Sequence, residues 1–362
     1  MTSDLVLAAL RGVHDPDLRT DIVSLKFVKD VQVAGGRAAF TIELSSPSAV
    51  VREQVLERAG AAVAAVPGIT AVDVTMSFSV RSTSAPEHGK PPLPGVKNVI
   101  AVGAGKGGVG KTTVAVNLAV ALSRMGARVG MLDGDIYGPN VPLMFGLQAQ
   151  LQMDGKMIRP AEKYGIQIVS MGFLAQEDAP MIWRGPMLHS AIQQFCRDVS
   201  WKELDYLIVD MPPGTGDVAL SLSQTVPAAG AIVVTTPQQV SLADSKRAVR
   251  MYQKLNIPTL GMVENMAFYE CTNCHHEADI FGHGGGEQMA RQLDVPFLGR
   301  LPIYQPIRVG GDRGIPLVIA EPDSVAARAF TALAEATVIQ IAVAAQKNAI
   351  THKGKIPLMQ IK

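Results

Sequence analysis

Residues 105–113 read GKGGVGKTT, directly after the apolar run VIAVGA and before the helix-patterned stretch TTVAVNLAVALSRMG. Glycines at four of these positions let backbone N–H groups turn inward around a polyphosphate. A strand, a glycine loop and a helix N-terminus form the setting such a loop requires. Lys111 supplies a point charge for β- and γ-phosphates and Thr112 a hydroxyl for Mg²⁺. Gly105, Gly107, Gly108, Val109, Gly110 and Thr113 complete the cradle. The chemistry this predicts is nucleoside triphosphate binding. A second lysine, Lys106, occupies a position that the ordinary motif leaves open.

Two acidic segments follow. In MLDGDIYGPN, Asp133 and Asp135 end an apolar run, where the ligands of open α/β sheets collect. A carboxylate there orients the attacking water or holds Mg²⁺ through its waters. In DMPPGTGD, Asp210 stands where a Walker B acid belongs. Gly214 is expected to present its N–H to the γ-phosphate. Pro212 and Pro213 stiffen the segment, so that loss of phosphate would move it as a unit.

The third chemical feature is a cysteine pair, Cys271 and Cys274, in MAFYECTNCHHEADIFGHGGG. Four readings share this spacing. A redox dithiol is expected at a helix start in a thioredoxin-like unit. A zinc site would add His275 and His276, although adjacent histidines point in different directions. CTNCH also matches c-type haem attachment, which needs an export route. Last, two thiolates per subunit would be half of a cluster site completed across a two-fold axis. Spacing alone leaves these open.

The elements that must hold these groups are visible in composition and pattern. The chain has 362 residues, 48% of them apolar and 18% charged, which suits one large α/β domain plus a smaller one. Three cysteines give no disulfide framework, and the N-terminus carries neither a basic flank nor a cleavage site, so a cytoplasmic protein is expected. No apolar run is read as approaching the ~18 residues of a membrane helix. Residues 1–80 read as a small α+β domain: a helix over 5–10, a hairpin of 27–33 and 37–44, a helix over 50–66 and a strand over 69–80. Residues 81–96 form a Pro/Ser/Gly-rich linker. Residues 97–346 alternate strand and helix, with near-continuous apolar strands at 128–133, 206–210, 230–236, 259–265 and 297–301. This is a mostly parallel sheet with helices on both faces, closed by a long helix over 324–346. A basic tail, 347–362, ends the chain. Cys196, in IQQFC, reads as a core residue.

With Lys106, the loop resembles the deviant Walker A of the MinD/ParA/nitrogenase-iron-protein class. In that class the extra lysine reaches phosphates bound by a partner subunit. The resemblance implies a homodimer, Asp135 as the water-orienting acid, Asp244 as a partner for Lys106, and Asn265 as the reader of adenine. The order of P-loop, DGDIYGPN, DMPPGTGD, VENM, CxxC, IFGHGGG and LPIYQPIRVGGDRGIPL closely resembles the Mrp/ApbC family of iron–sulfur cluster carrier ATPases from about residue 97 to 320. That implies ATP hydrolysis with Mg²⁺, and a [4Fe–4S] cluster held by Cys271 and Cys274 between subunits for transfer to apo iron–sulfur proteins. Two departures stand out. His275 replaces a glycine common in the family. Ala49 replaces a cysteine frequent in the Fe–S-assembly domain that residues 1–80 resemble, so this domain reads as a docking module. The rivals are a MinD/ParA-like positioning ATPase and the same ATPase with structural zinc. No membrane or nucleic-acid partner is expected. Gly354 and Pro357 break the tail, and a net charge of +1 promises no DNA-facing surface.

Overall fold

The computed structural model describes residues 3–83, 93–135, 138–148, 152–173, 185–214, 217–225, 227–271, 273, 274 and 276–353. His275, most of the linker and the end of the tail lie outside them. The chain divides into two compact units, Met1–Thr83 with Val338–Lys362, and Ser84–Thr337.

The first unit begins with α1 (Ser3–Leu10), then β1 (Val28–Ala34), β2 (Arg37–Leu44), α2 (Ala49–Ala64) and β3 (Ala71–Phe78). Gly35 and Gly36 both take positive φ, 57° and 80°, as a two-residue hairpin turn demands, and β1 pairs antiparallel with β2. β3 then joins β2 in parallel, giving the order β1-β2-β3. The Ser48 hydroxyl caps α2 by accepting from the Val51 N–H at 3.2 Å. Val51, Val55, Ala59 and Val63 repeat every fourth residue and are buried with Phe40, Ile42 and Leu44.

The second unit is built on β4 (Val96–Ala104), α3 (Lys111–Arg124), β5 (Val129–Asp133) and the short α4 (Val141–Met144). A small hairpin, β6 (Gln152–Asp154) and β7 (Met157–Arg159), precedes β8 (Ala161–Lys163), β9 (Ile166–Ser170) and α5 (Gly185–Arg197). There follow β10 (Leu204–Asp210), α6 (Asp217–Thr225), β11 (Gly230–Thr235), α7 (Gln239–Lys254) and β12 (Thr259–Glu264). The two-residue strands β13 (Tyr269–Glu270) and β14 (Glu277–Ala278) lead to α8 (Gly285–Gln292) and β15 (Phe297–Arg300). The short helices α9 (Gln305–Arg313) and α10 (Leu317–Ala320) precede the long α11 (Val325–Lys353).

The main sheet runs β15-β12-β11-β4-β10-β5-β9-β8, parallel except for β8. Its centre is apolar on both sides, which explains the unbroken apolar runs. Val99 and Ala101 of β4 share a core cluster with Phe195 and Cys196 of α5, Leu222 of α6 and Tyr252 of α7. Ile100 and Val102, pointing the other way, are also fully buried, and α3 packs along β4, β5 and β10. Cys196 is 2% exposed, the core position expected of it.

Three details differ from the expectations. β9 and β8 extend the sheet beyond β5, and the closing helix runs on to Lys353. Within that helix, Val325–Asn348 is long and apolar enough to cross a membrane by length and composition, contrary to the expectation of no such stretch. Ala327, Phe330, Ala334, Val338, Ile341 and Ala345 bury one stripe of it at helical spacing, the pattern of a core helix.

Candidate functional site

The parallel strands deliver their carboxyl ends to one edge of the sheet, and the chemistry-bearing residues meet there. β4 runs into the 105–110 loop, β5 ends on Asp133, β10 on Asp210, and β12 on Glu264 before Asn265. Gly110 is the N-cap of α3 with φ 79°, and Gly108 takes the same value. Two of the loop glycines are also fixed by close approach. A Cβ on Gly105 would overlap the backbone of Asp244, and one on Gly110 would overlap the Asn265 amide. Lys106 is half-buried, Gly107 and Gly108 are exposed, and Val109 is buried beneath them.

Lys111, 6% exposed, sends its ammonium 2.6 Å from Asp210 Oδ1 and 3.8 Å from Asp135 Oδ2. The Thr112 hydroxyl donates to Asp210 Oδ2 at 2.7 Å. Asp210 is fully buried; burial raises its pKa, while Lys111 and Thr112 oppose the rise. Asp133 lies beside it, its partner in the β5–β10 register, also fully buried. Its carboxylate accepts from Ser170 Oγ at 2.9 Å and from the N–H groups of Asp135 and Val141. Burial, then the charge of Asp210, pushes its pKa up to about 7. One ammonium therefore faces two carboxylates with a third carboxyl beside Asp210, and the burial of Lys111, Asp210 and Asp133 makes their interactions strong. The Thr112 hydroxyl and the Asp210 carboxylate are hard oxygen donors within one coordination sphere of each other, a set that fits Mg²⁺.

Asn265 is buried, and its amide donates to the Val109 carbonyl at 2.8 Å, tying the end of β12 to the phosphate loop rather than to its own turn. Beside it a cavity of about 600 Å³ is lined by Gly110, Thr112, Thr113, Met266, Ile303 and Tyr304, among others. It is apolar enough to take a flat heterocycle next to the phosphate loop. Its outer wall comes from the LPIYQPIRVGG segment, whose part in the site sequence reasoning missed.

Two expectations are corrected. The Gly214 N–H donates to the Ala104 carbonyl at 3.1 Å, so the donor expected to face a γ-phosphate is used inside the protein. Pro213 nevertheless stands over Gly107. Asp244 pairs with Arg247 at 2.7 Å, one turn along its own helix, rather than with Lys106 of the same chain. The proximity of Asp244 to the loop is real, but it is a contact of its backbone with Gly105.

Past Asn265 the chain leaves the sheet on an excursion that returns at α8. Its outgoing arm is bonded to the segment after β15: Ala267 N–H to Leu301 O at 3.0 Å, and Ile303 N–H to Phe268 O at 2.6 Å. At the tip, β13 and β14 pair Tyr269 with Ala278 and Glu270 with Glu277, and the Cys271 N–H donates to the His276 carbonyl at 3.1 Å. Cys271 is half-buried and Cys274 exposed. Among the described residues no third His, Cys, Asp or Glu joins them to form a metal-binding group.

A family model described as NUBPL iron-transfer P-loop NTPase matches residues 95–338, and one described as iron-sulfur cluster assembly protein matches residues 3–76. The iron-sulfur cluster carrier protein of Synechocystis sp. is 47% identical over 352 residues, covering 95% of this chain and 99% of its own length. That of Escherichia coli (strain K12) is 39% identical over 343 residues, covering 93% and 92%. Among solved structures, the nucleotide-binding protein of Archaeoglobus fulgidus in complex with ADP is similar with a TM-score of 0.57. It is 35% identical over 64% of this chain and 91% of its own. The cell division ATPase MinD of Pyrococcus furiosus gives 0.50 at 25% identity, over 66% and 97%.

Proposed function

The chain belongs to the NUBPL iron-transfer P-loop NTPase family, and on that premise we propose that it is a Mg-ATP-hydrolysing homodimer. Its cargo would be a [4Fe–4S] cluster, held between subunits on Cys271 and Cys274 and handed to apo iron–sulfur proteins. The observation that carries this reading is the join between the two sites. Asn265, bonded to the phosphate loop, is separated from Cys271 only by residues 266–270.

In this reading the N–H groups of residues 105–113 cradle the phosphates, and Lys111 turns from Asp210 to the β- and γ-phosphates as they enter. Thr112 and Asp210 hold Mg²⁺, which neutralises charge on the phosphates when bound. Asp135, close enough to feel Lys111, orients the attacking water. Asn265 and the cavity beside it take adenine, with the side-chain carbonyl as acceptor for its exocyclic amine. Lys106, half-buried at the mouth of the loop, reaches the nucleotide of the second subunit. Two thiols on an exposed hairpin tip make half of a four-thiolate set, which a second copy completes.

Anaerobic reconstitution of the full chain with ferrous iron and sulfide tests this. The expected result is visible cluster absorption, about two iron atoms per chain for a cluster shared by two chains, and a dimer by light scattering. Cys271→Ala and Cys274→Ala should lose the cluster absorption and the iron while still hydrolysing ATP. Stoichiometric zinc without iron would support a structural site instead. A variant lacking both thiols that transfers clusters normally would sink the proposal.

A further inference from the structure

Arg300, the last residue of β15, is the point on which the cysteine excursion hangs. Its guanidinium faces Glu264, its partner in the β12–β15 register, with Nε 3.7 Å from Oε1. It lies 5.2 Å from the ring centre of Phe268 on the outgoing arm. On the return arm, Nη2 is 3.5 Å from Asp279 Oδ1 and 3.3 Å from His283 Nδ1, while His283 itself sits 3.1 Å from Asp279 Oδ2. Glu264 Oε2 accepts from the Gly286 N–H at 2.5 Å, at the start of α8. One side chain therefore touches both arms, and the strand end that carries Asn265.

The joint is not fully bonded. Among the described residues, Glu264 Oε1 and Arg300 Nε are both buried without a hydrogen bond, and they face each other just beyond bonding reach. A half-buried guanidinium facing a buried carboxylate in that state gains from a movement of less than about one ångström that closes the gap. The neighbouring backbone is strained as well: Met266, a long side chain, takes φ 55° where the excursion starts. The segment directly after Arg300 faces the nucleotide side. Pro302, Ile303 and Tyr304 line the cavity beside the phosphate loop, while Leu301 and Ile303 hold the outgoing arm. That wall of the cavity follows directly on the strand end from which the Arg300 side chain reaches the arms.

We propose that Arg300 is the positioning residue that couples the nucleotide site to the cysteine hairpin. Filling the cavity shifts the Arg300–Glu264 contact between its open and closed arrangements, and the arms carry that shift to Cys271 and Cys274. Cluster retention then follows nucleotide occupancy. The inference rests on the nucleotide-dependent carriage proposed above, and its test does not require a cluster.

The experiment measures iodoacetamide alkylation of Cys271 and Cys274 in the metal-free full chain, with and without Mg–ADP, by peptide mass spectrometry. Buried Cys196 reports unfolding. In the wild type the nucleotide should change the rate at the pair by about fivefold or more, the low end of usual coupling between sites. Arg300→Gln should bind ADP within about threefold of wild type yet show a ratio below about twofold. Arg300→Lys keeps the charge beside Glu264 but loses the planar fork toward Asp279, and should fall between. A wild-type ratio near one, or an Arg300→Gln ratio equal to wild type, overturns the proposal. Should Arg300→Gln expose Cys196, Phe268→Leu carries the same test. It removes the ring beneath the guanidinium and leaves the charges, and an unchanged ratio there overturns the proposal equally. Failure of the wild type to load a cluster on reconstitution would defeat the carrier reading alone.

Discussion

The phosphate loop and the excursion that carries the cysteine hairpin both leave from one edge of the main sheet, yet they are built on opposite principles. Beside Lys111 two carboxyl groups are fully buried and held: Asp210 by an ammonium and a hydroxyl, Asp133 by a serine and two backbone N–H groups. Around Cys274 there is an exposed tip closed by strands of two residues each. Phosphoryl transfer needs dipoles and charges fixed before the reaction, because reorganising them costs rate. A carrier must release what it holds, and ligands on a small, weakly supported hairpin make release cheap. On the proposed reading, rigidity is placed where bonds break and looseness where cargo would leave.

The contrast breaks most visibly at Lys111. Lys111→Ala removes the ammonium proposed to meet the phosphates and leaves Asp210 buried with Thr112 as its remaining side-chain partner among the described residues. ATP hydrolysis should fall about 100- to 1,000-fold, as when a preorganised donor is lost. Stability should fall by about 3 kcal/mol, the usual result of orphaning one half of a buried ion pair. Phosphate release and urea unfolding measure the two. Hydrolysis above a tenth of wild type would mean that the charges around the loop are held less firmly than their burial suggests.

Asp133 sharpens the same side. Its carboxyl is pushed up to about 7 against an ordinary 3.8, so between about pH 4 and 7 the folded chain holds a proton that the unfolded chain releases. The sign follows: this group's contribution to stability is lost as pH rises through that window and levels off above it. Asp133→Asn, which cannot ionise, should flatten the profile by about 1.4 kcal/mol per pH unit within the window. Urea midpoints across it, wild type beside variant, are the measurement. Parallel profiles would show that Asp133 is ionised in the folded state throughout.

How much of this the sequence made legible depends on distance along the chain. The loop was readable because its chemistry is local: glycines, Lys111 and Thr112 act within one turn. The central strands were readable because parallel strands buried on both faces are apolar without a break. β8 and β9 were not: an edge pair of three and five residues, one of them polar, carries no periodic signal. Neither was the bond from Asn265 to Val109, which joins residues far apart in sequence, nor the loss of the Gly214 donor to Ala104. Both depend on the path two loops take past each other, which no spacing encodes. Glu264 and Arg300 stand in or beside recognisable motifs, yet a buried pair set by strand register is invisible until the register is known. The cysteine pair is the converse case. Its spacing is plain, but the surroundings that choose among its four chemistries lie on other elements or in a second copy.

The smallest expected effect belongs to the hairpin, and its smallness is the point. Cys271→Ala and Cys274→Ala remove thiols that are half-buried and exposed, at a tip held by a two-residue strand pairing and the Cys271–His276 backbone bond. Substitutions at such places fall within about 0.5 kcal/mol of neutral, so urea midpoints of the cluster-free variants should match wild type while reconstituted iron disappears. A loss of several kcal/mol without metal would mean that the thiols are structural and that the tip is as rigidly built as the loop. The Arg300 coupling makes a finer demand on the same variants. If the arms transmit occupancy mechanically, removing a thiol must leave ADP affinity unchanged, because the link runs through Glu264, Phe268 and Asp279 and not through sulfur. The two regions would then be joined by that side-chain joint and not by the thiols, each free to be tight or loose as its chemistry requires.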